Sequence, residues 1–254
     1  MIKRIVILSD CVDVAYNEVR AIILKELGSK EDKIIIEPLV KIEPFSIING
    51  AFLLRLLAEA YPPKETLFLV ILNPLKQRPA RIMGETLNGI KFVGANTGVF
   101  GWLAQDFGIK NIYEMKDPGF IAFGGKFVHA PIAAKIAKGI DLKTLGKKKD
   151  NSFLFDYKIH DGTVVHIDNF GLIKIKGEKL NYSDGDQFFI YINNKRKIKA
   201  EFSRRMMNLD DGRWVIYSGS SLGGMPELGK VRCTDGAKIL NIKVGDKIKW
   251  SKVN

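Results

Sequence analysis

Two places in the sequence combine residues that could hold a small ligand. The apolar run "RIVILSD" ends in the carboxylate of Asp10, as a buried parallel strand does when its C-terminal end opens toward a site. The stretch "FIAFGGKFVHAPIAAKIAKG", residues 120–139, sets two glycines among aromatic residues just before a segment of helical period. Glycine lets a ligand approach closely, and a helix N-terminus offers unpaired N–H groups. We therefore expect either one wall of a ligand site or a tight turn that feeds an amphipathic helix.

The elements that must position these residues change character near Asp150. Before it, strands and helices alternate through "RIVILSD", "NEVRAIILKELG", "KIIIEPLV", "NGAFLLRLLAEAYP", "TLFLVILNP", "GIKFVGAN" and a helix from about Ala130 to Lys138. This order predicts an α/β domain with a mostly parallel sheet. After it, short β-rich runs such as "QFFIYINN" and "RWVIYSG" predict an all-β barrel. We expect an α/β domain in residues 1–145, a linker in 146–154 and the barrel in 155–254.

Composition favours an ordinary globular protein. A chain of 254 residues that is 46% hydrophobic can bury a sizeable core. No apolar run approaches the roughly 18 residues of a membrane span, and the start "MIKRIVILSD" turns polar too early for a signal peptide. Cys11 and Cys233 lie far apart and match no metal-ligand or redox spacing. We therefore expect a cytoplasmic protein without a metal site.

The chain is basic, which favours anionic partners. Its 40 Lys and Arg residues against 28 Asp and Glu give a net charge of +12, so nucleic acid stays open as a class of partner. The densest run, "KTLGKKKD" at residues 143–150, falls in the expected linker, where a solvated surface explains it. Aromatic residues of the β-rich half stand among basic ones, as a nucleic-acid-binding barrel would need: Phe188, Phe189, Tyr191 and Trp214.

Six segments, in their order along the chain, follow the pattern of one known family. "SDCVDVAYNEVRAII" matches that family's opening "TDFG…D.YVG.MKGVI", "IEPFSIINGAFLL" matches "IPPFDI..GAFLL", and "LFLVILNP" matches "VVDPGVG". Further on, "FVGANTGVF" matches "FVAPDNGLL", "FGGKFVHAPIAA" matches "FHGRDIFAPVAA", and "GTVVHIDNFGL" matches "G.VV.IDxFGN". On this order and spacing the chain resembles, as a divergent member, the S-adenosyl-L-methionine (SAM) hydroxide adenosyltransferases, the SAM hydrolases related to fluorinase and chlorinase.

The resemblance implies a reaction and an assembly. The family transfers the 5′-adenosyl group of SAM to water, giving adenosine and methionine, with SAM as substrate and no further cofactor. Its fold is an N-terminal α/β domain joined to a C-terminal β-barrel. Its members form homotrimers, in which each site lies at a seam between the N-terminal domain of one subunit and the C-terminal domain of the next. The glycine-flanked turn would form part of the floor of that site.

The catalytic positions implied by the resemblance are only partly filled. The water must be held in line with the C–S bond and stripped of solvent, which in the family falls to an aspartate, an arginine and a histidine. Here Asn73 and Gly124 stand at the aspartate and the histidine, while Arg78 and Arg81 both lie near the arginine without gap-free register. Asparagine can orient water but is no general base. His129 could compensate, although a buried or capping histidine is the simpler interpretation.

The resemblance also implies substrate-binding residues. Asp10 would accept the ribose hydroxyls, unless it caps a helix. The carboxylate of Asp168 would meet the methionine end, and the ring of Phe170 would pack on adenine. The other implied contacts are Phe45 and Ser46, which line the site, and Ser220 and Ser221, near the amino-acid carboxylate. Leu172 and Lys176 replace asparagines of the family, which weakens the case for adenine recognition by side-chain amides.

Three hypotheses follow from the sequence. The first is an adenosyltransferase of weak activity, in which Asn73 and an arginine position the water. The second is a degenerate member that binds SAM, adenosine or another nucleoside without turnover. The third is a basic nucleic-acid-binding protein that uses the β-rich half.

Overall fold

The computed structural model describes residues 1–72, 75–76, 78–116 and 118–253. The chain divides into two compact units, Met1–Lys158 and Ile159–Asn254. Each unit builds its own sheet around its own apolar core. In the described ranges no helix has the length and hydrophobicity of a membrane span.

The first unit is an α/β unit with an eight-stranded sheet. Its strands are β1 (Arg4–Ser9), β2 (Ile35–Ile36), β3 (Val40–Lys41), β4 (Thr66–Ile71), β5 (Arg81–Thr86), β6 (Lys91–Ala95), β7 (Ile109–Met115) and β8 (Gly146–Lys149). Its helices are α1 (Val14–Leu27), α2 (Ile47–Ala60), α3 (Gly101–Phe107), α4 (Ala130–Ala137) and α5 (Leu142–Leu145). Single 3₁₀ turns lie at Gly28–Lys33, Pro63–Glu65 and Asn151–Phe153, and a π-helical turn lies at Gly125–His129.

The sheet of the first unit is mixed rather than mostly parallel. Its order is β2-β1-β4-β6-β5-β7-β8, with β3 also paired to β1. Pairing is parallel from β2 to β6 and antiparallel from β6 to β8. The expectation of a mostly parallel sheet is not confirmed, because the antiparallel strands β5, β7 and β8 were not predicted. Only residues 87–90 join β5 to β6, and so short a connection joins antiparallel neighbours. Strand β8 lies inside the segment expected to be a linker.

Both faces of this sheet are covered by apolar side chains. All six residues of β4 are buried between β1 and β6. Alternate residues of β1 and β4 face one core cluster that includes side chains of α1 and α4: Ile5, Ile7, Leu67, Leu69, Val19, Ile23, Ala133 and Ala137. Aromatic residues outside this cluster pack in pairs, with ring centroids 4.6 Å apart for Phe92 and Phe100 and 6.2 Å apart for Phe52 and Trp102.

The second unit is built on a curled seven-stranded sheet. Its elements are β9 (Val164–Ile167), β10 (Ile173–Ile175), β11 (Gln187–Ile192), β12 (Arg196–Phe202), β13 (Trp214–Ser218), β14 (Pro226–Lys230), α6 (Gly236–Leu240) and β15 (Ile248–Lys252). The order is β15-β11-β12-β13-β14-β10-β9, antiparallel except where β12 pairs β13. The two edges meet through an isolated bridge between Thr163 and Lys247. The expected all-β barrel is therefore not confirmed: the unit has a curled sheet with α6 and a 3₁₀ segment at Met206–Asn208, and an isolated bridge stands where a barrel would have a ladder between the edges.

Gly94, in β6, is packed closely against Val70 and Phe100, and this packing can be tested by substitution. A β-carbon at this position would lie 2.7 Å from the carbonyl oxygen of Val70 and 2.9 Å from Cζ of Phe100. Because the nearer atom belongs to the backbone, we expect Gly94→Ala to lower the free energy of unfolding by about 1–3 kcal/mol. In the control Gly177→Ala, the added carbon meets Pro226 at an ordinary 3.5 Å. Equal denaturation midpoints for the two variants would contradict this account.

Candidate functional site

A cavity of about 650 Å³ lies in the first unit, where several strands of its sheet end. Its wall includes Asp10, just after β1, together with Ile71 at the end of β4 and Ala95 at the end of β6. Arg81, the first residue of β5, pairs with Ala95 and so reaches the same edge. Cavities of roughly 300–1,000 Å³ bind small molecules, and the carboxyl edge of parallel strands is where such sites form.

Asp10 stabilises the backbone on one side of the cavity. Its Oδ2 accepts the N–H of Phe45 at 2.9 Å, and its Oδ1 lies 3.7 Å from Sγ of Cys11. The alternative of a helix cap is wrong, because Asp13 holds the N-cap position of α1. Burial, and then the charge of Asp10, raises the pKa of the Cys11 thiol, so this cysteine is protonated at neutral pH. The carboxylate therefore fixes the loop that carries Phe45.

Two phenylalanines at the cavity have backbone in the left-handed region. Phe45 has φ +59° with 71% of its surface exposed, and Phe123 has φ +57°. Such backbone costs about 1–3 kcal/mol per residue outside glycine and concentrates at ligand-binding and active sites. Ser46, next to Phe45, accepts the N–H of Asn49 at 3.1 Å and caps α2, so its hydroxyl has a structural partner.

The two glycines after Phe123 have different neighbours in the cavity wall. A β-carbon on Gly125 would lie 2.7 Å from Cγ2 of Ile71, so this glycine lets the turn pack on the end of β4. A β-carbon on Gly124 would lie 3.0 Å from Nη2 and 3.4 Å from Nε of Arg81. Gly124 has helical backbone, φ −56°, which every residue type can adopt. The glycine turn thus forms part of the cavity wall, and the Arg81 guanidinium fills the space beside Gly124.

The side chains around the cavity make it electropositive. Its described lining carries three basic residues, Lys76, Arg78 and Arg81, against the single carboxylate of Asp10. Arg81 is half-buried, whereas Arg78 is exposed. Burial, and then the charge of Arg78, lowers the pKa of Arg81, although guanidinium groups stay protonated in proteins. Asn73 lies outside the described residues.

His129 ends the π-helical turn and also borders the cavity. The side chain is buried, with 5% of its surface exposed. Neither Nδ1 nor Nε2 has a hydrogen-bond partner in the part of the chain that the structure describes, and no cap is made on α4. Burial, and then the charge of Arg81, lowers the pKa of His129 to about 4. The interpretation as a buried histidine is therefore correct, but the capping one is wrong, and the ring is neutral at pH 7.

The other implied substrate contacts lie in the second unit. Oδ1 of Asp168 accepts the N–H groups of Phe170 at 2.9 Å and Leu172 at 3.0 Å, which makes it a turn-forming aspartate. Phe170 has 61% of its surface exposed, Ser220 is exposed and Ser221 is buried. The roles of these residues in substrate binding stay predictions.

The aromatic residues proposed for nucleic-acid binding have other contacts. Phe188 is 1% exposed and packs on Tyr182 with ring centroids 4.6 Å apart. A base cannot stack on a ring buried in this way. Lys199 lies 5.6 Å from the ring centroid of Phe189, within cation–π range. Phe188 is therefore not available as one of the base-stacking aromatic residues predicted from the sequence.

Sequence analysis did not single out the aromatic residues of the glycine stretch. Phe120 and Phe123 both line the cavity, and Phe120 is 85% exposed. Their position just before the paired glycines was the available signal. Arg81 was placed only roughly, because its position depends on the antiparallel strand β5.

Comparisons with known proteins agree with this architecture. The sequence model of the SAM hydroxide adenosyltransferase N-terminal domain matches residues 5–146. A curated relative from Methanocaldococcus jannaschii, named (R)-S-adenosyl-L-methionine hydrolase, is 27% identical over 230 residues, covering 86% of this chain and 83% of the relative.

Solved structures show the same fold over nearly the whole chain. An uncharacterized conserved protein from Thermotoga maritima superposes with a TM-score of 0.82 at 22% identity, covering 97% of this chain and all of that one. A conserved hypothetical protein from Thermus thermophilus gives a TM-score of 0.75 at 20% identity, covering 99% of this chain and all of that one.

Burial of His129 predicts a loss of stability in acid. The unfolded chain binds this proton near the ordinary pKa of 6.5, whereas the folded protein binds it only near 4. Between these values the unfolded state holds more protons. The free energy of unfolding therefore decreases as the pH is lowered, by roughly 3 kcal/mol in total. Denaturant titrations at pH 7 and pH 4.5 should show a smaller fall for His129→Leu than for wild type. His160→Leu, at an exposed position, is the control, and equal falls for all three proteins would refute the assignment.

Proposed function

Because the chain belongs to the SAM hydroxide adenosyltransferase family, we propose that it binds SAM and transfers the 5′-adenosyl group to water. The C5′–S bond breaks with its electron pair going to sulfur, and a C5′–O bond forms. Adenosine, methionine and one proton leave. The named activity of the M. jannaschii relative supports this proposal, and the reaction needs no cofactor beyond its substrate.

The observation that carries the proposal is the position of Arg81 at the cavity. Its guanidinium is half-buried beside Gly124, at the edge of the sheet that also bears Asp10. A fixed charge in a partly desolvated cavity acts more strongly than it would in water. In the proposed reaction Arg81 orients the water through a hydrogen bond to its oxygen, together with Asn73. Asp10 then accepts ribose hydroxyls through carboxylate lone pairs left over from the bond to Phe45.

A second candidate function is binding of SAM or a nucleoside without turnover. It is favoured by the shortage of acidic groups in the described lining, where Asp10 is the one carboxylate and is already bonded to Phe45. Asn73 supplies no base either. In this case the protein holds its ligand and leaves the C–S bond intact.

A homotrimer is part of the proposal. Phe45 and Phe120 leave 71% and 85% of their surface exposed at the cavity, an apolar rim that another subunit could cover. Asp168, Phe170 and the Ser220–Ser221 pair would then contribute contacts to the amino-acid and adenine ends of SAM.

The two arginines should differ sharply in their effect on turnover. With purified protein and SAM, adenosine measured by chromatography should rise in proportion to enzyme concentration. We expect Arg81→Ala to lower kcat by about 10²–10³-fold, as the loss of one preorganised donor does. Arg78→Ala, the matched change at an exposed position, should lower kcat less than about tenfold, because solvent screens its charge. Equal losses in the two variants would contradict the role of Arg81. If calorimetry detects SAM binding but no adenosine forms, the second candidate function holds.

The proposed ribose contact can be tested with adenosine alone. Asp10→Ala should weaken adenosine binding by about 1–3 kcal/mol, or about 5- to 150-fold in Kd by calorimetry, because buried hydroxyls lose their acceptor. Asp10→Asn keeps one acceptor oxygen for Phe45 and should fall between Asp10→Ala and wild type. Asp106→Ala removes a carboxylate that instead pairs with Arg55, and should leave Kd unchanged. If Asp10→Ala binds adenosine like wild type, Asp10 serves only the Phe45 loop.

A further inference from the structure

His129 carries an unmet hydrogen-bonding requirement at the edge of the cavity. A neutral imidazole has one donor and one acceptor nitrogen, and both nitrogens of His129 lack a partner in the described part of the chain. Leaving a polar group buried and unpaired costs about 1–3 kcal/mol. A leucine or phenylalanine would fill the same space without that cost, so the packing of α4 does not explain a histidine here.

The surroundings of His129 point to the cavity as the source of its missing partner. Its chain neighbours Val128 and Ala130 both belong to the apolar core cluster of the first unit. On its outer side His129 borders the cavity together with Gly124, Gly125 and Arg81. Arg81 and His129 thus line the same cavity; burial, and then the charge of Arg81, lowers the pKa of His129.

Resting on the proposed function, we propose that His129 holds the attacking water and takes its proton. One imidazole nitrogen accepts a hydrogen bond from this water. As the oxygen bonds to C5′ and the C–S electron pair goes to sulfur, the water becomes a protonated 5′-hydroxyl. That group passes its proton to the free lone pair of the imidazole. The imidazolium then releases the proton to solvent when adenosine and methionine leave.

The electrostatics of the site suit this step. The ring is neutral at pH 7 because burial and Arg81 both disfavour its protonated form, so its lone pair is available before each turnover. A protonated alcohol is a far stronger acid than an imidazolium, and it gives up its proton even to a base weakened in this way. The charge of Arg81 also returns the imidazolium to its neutral form after the reaction.

A water reaches the ring of His129 only if the turn in front of it moves. Each nitrogen exposes less than 1 Å², and the covering segment contains Phe123 in the left-handed region and the π-helical turn. Segments of this kind hold their shape at a cost and are common at functional sites. In the proposed reaction this turn shifts when SAM binds and so admits the water.

Two substitutions test the proposal, with adenosine release from SAM as the assay. His129→Gln keeps hydrogen bonding but removes the base, and His129→Leu removes both. We expect kcat to fall by about 10²–10⁴-fold in both variants, with little change in KM. Melting temperatures should stay within a few degrees of wild type, and His129→Leu decides the question if the Gln variant does not fold. His160→Gln, at an exposed position of the second unit, is the control and should match wild type.

The outcomes separate this inference from the proposed function. If wild type releases adenosine and the folded His129 variants keep a kcat within threefold of it, His129 is not the base, while the proposed function stands. A rise in KM at unchanged kcat would also overturn it, since that is loss of binding alone. If wild type releases no adenosine, both proposals fail, and calorimetry with SAM then distinguishes an inactive binder from a protein that does not take SAM.

Discussion

The structure of the first unit depends on the complete burial of β4. This strand is bonded to β1 on one side and β6 on the other, and all six of its residues are buried. A strand covered on both faces has no place for an unpaired polar side chain, and its one hydroxyl, on Thr66, donates to the carbonyl oxygen of Pro62. Groups that serve a ligand therefore follow its last residue or come from neighbouring strands. The cavity opens at that end. Arg81 reaches the same edge because β5 runs antiparallel to β6, which places the first residue of one strand opposite the last residue of the other.

The sequence predicted the elements whose apolar pattern is strong. Strands β1 and β4 and helices α1, α2 and α4 all lie where their periodicity placed them. Strand β5 was not predicted, because "RIMGET" contains a glycine and two charged residues in six positions and so resembles a loop. The consequence was larger than one missing strand. Without β5 the sheet was expected to be mostly parallel, and the choice between Arg78 and Arg81 depended on a register that only strand pairing provides.

The burial of His129 could not be predicted from the sequence alone. Its position at the start of an amphipathic segment fits a cap or a core residue equally well, and local sequence does not distinguish the two. In the structure the ring is buried at the cavity wall to which Arg81 also contributes. Gly124 leaves room for the Arg81 guanidinium, and burial, then the charge of Arg81, lowers the pKa of His129 and keeps its ring uncharged. The chemistry of the site therefore arises from contacts between segments nearly fifty residues apart in the chain.

The strongest basic run of the chain has a role that its charge alone does not suggest. Strand β8 forms one edge of the first sheet, and its sequence "GKKK" leaves Lys147 and Lys148 exposed there. An uncovered edge offers unpaired N–H and C=O groups to any other extended chain. Lysines along the edge oppose that addition, because a second copy would have to bring its own lysines alongside them. The charge of this run therefore disfavours pairing of the sheet with a second extended chain at this edge.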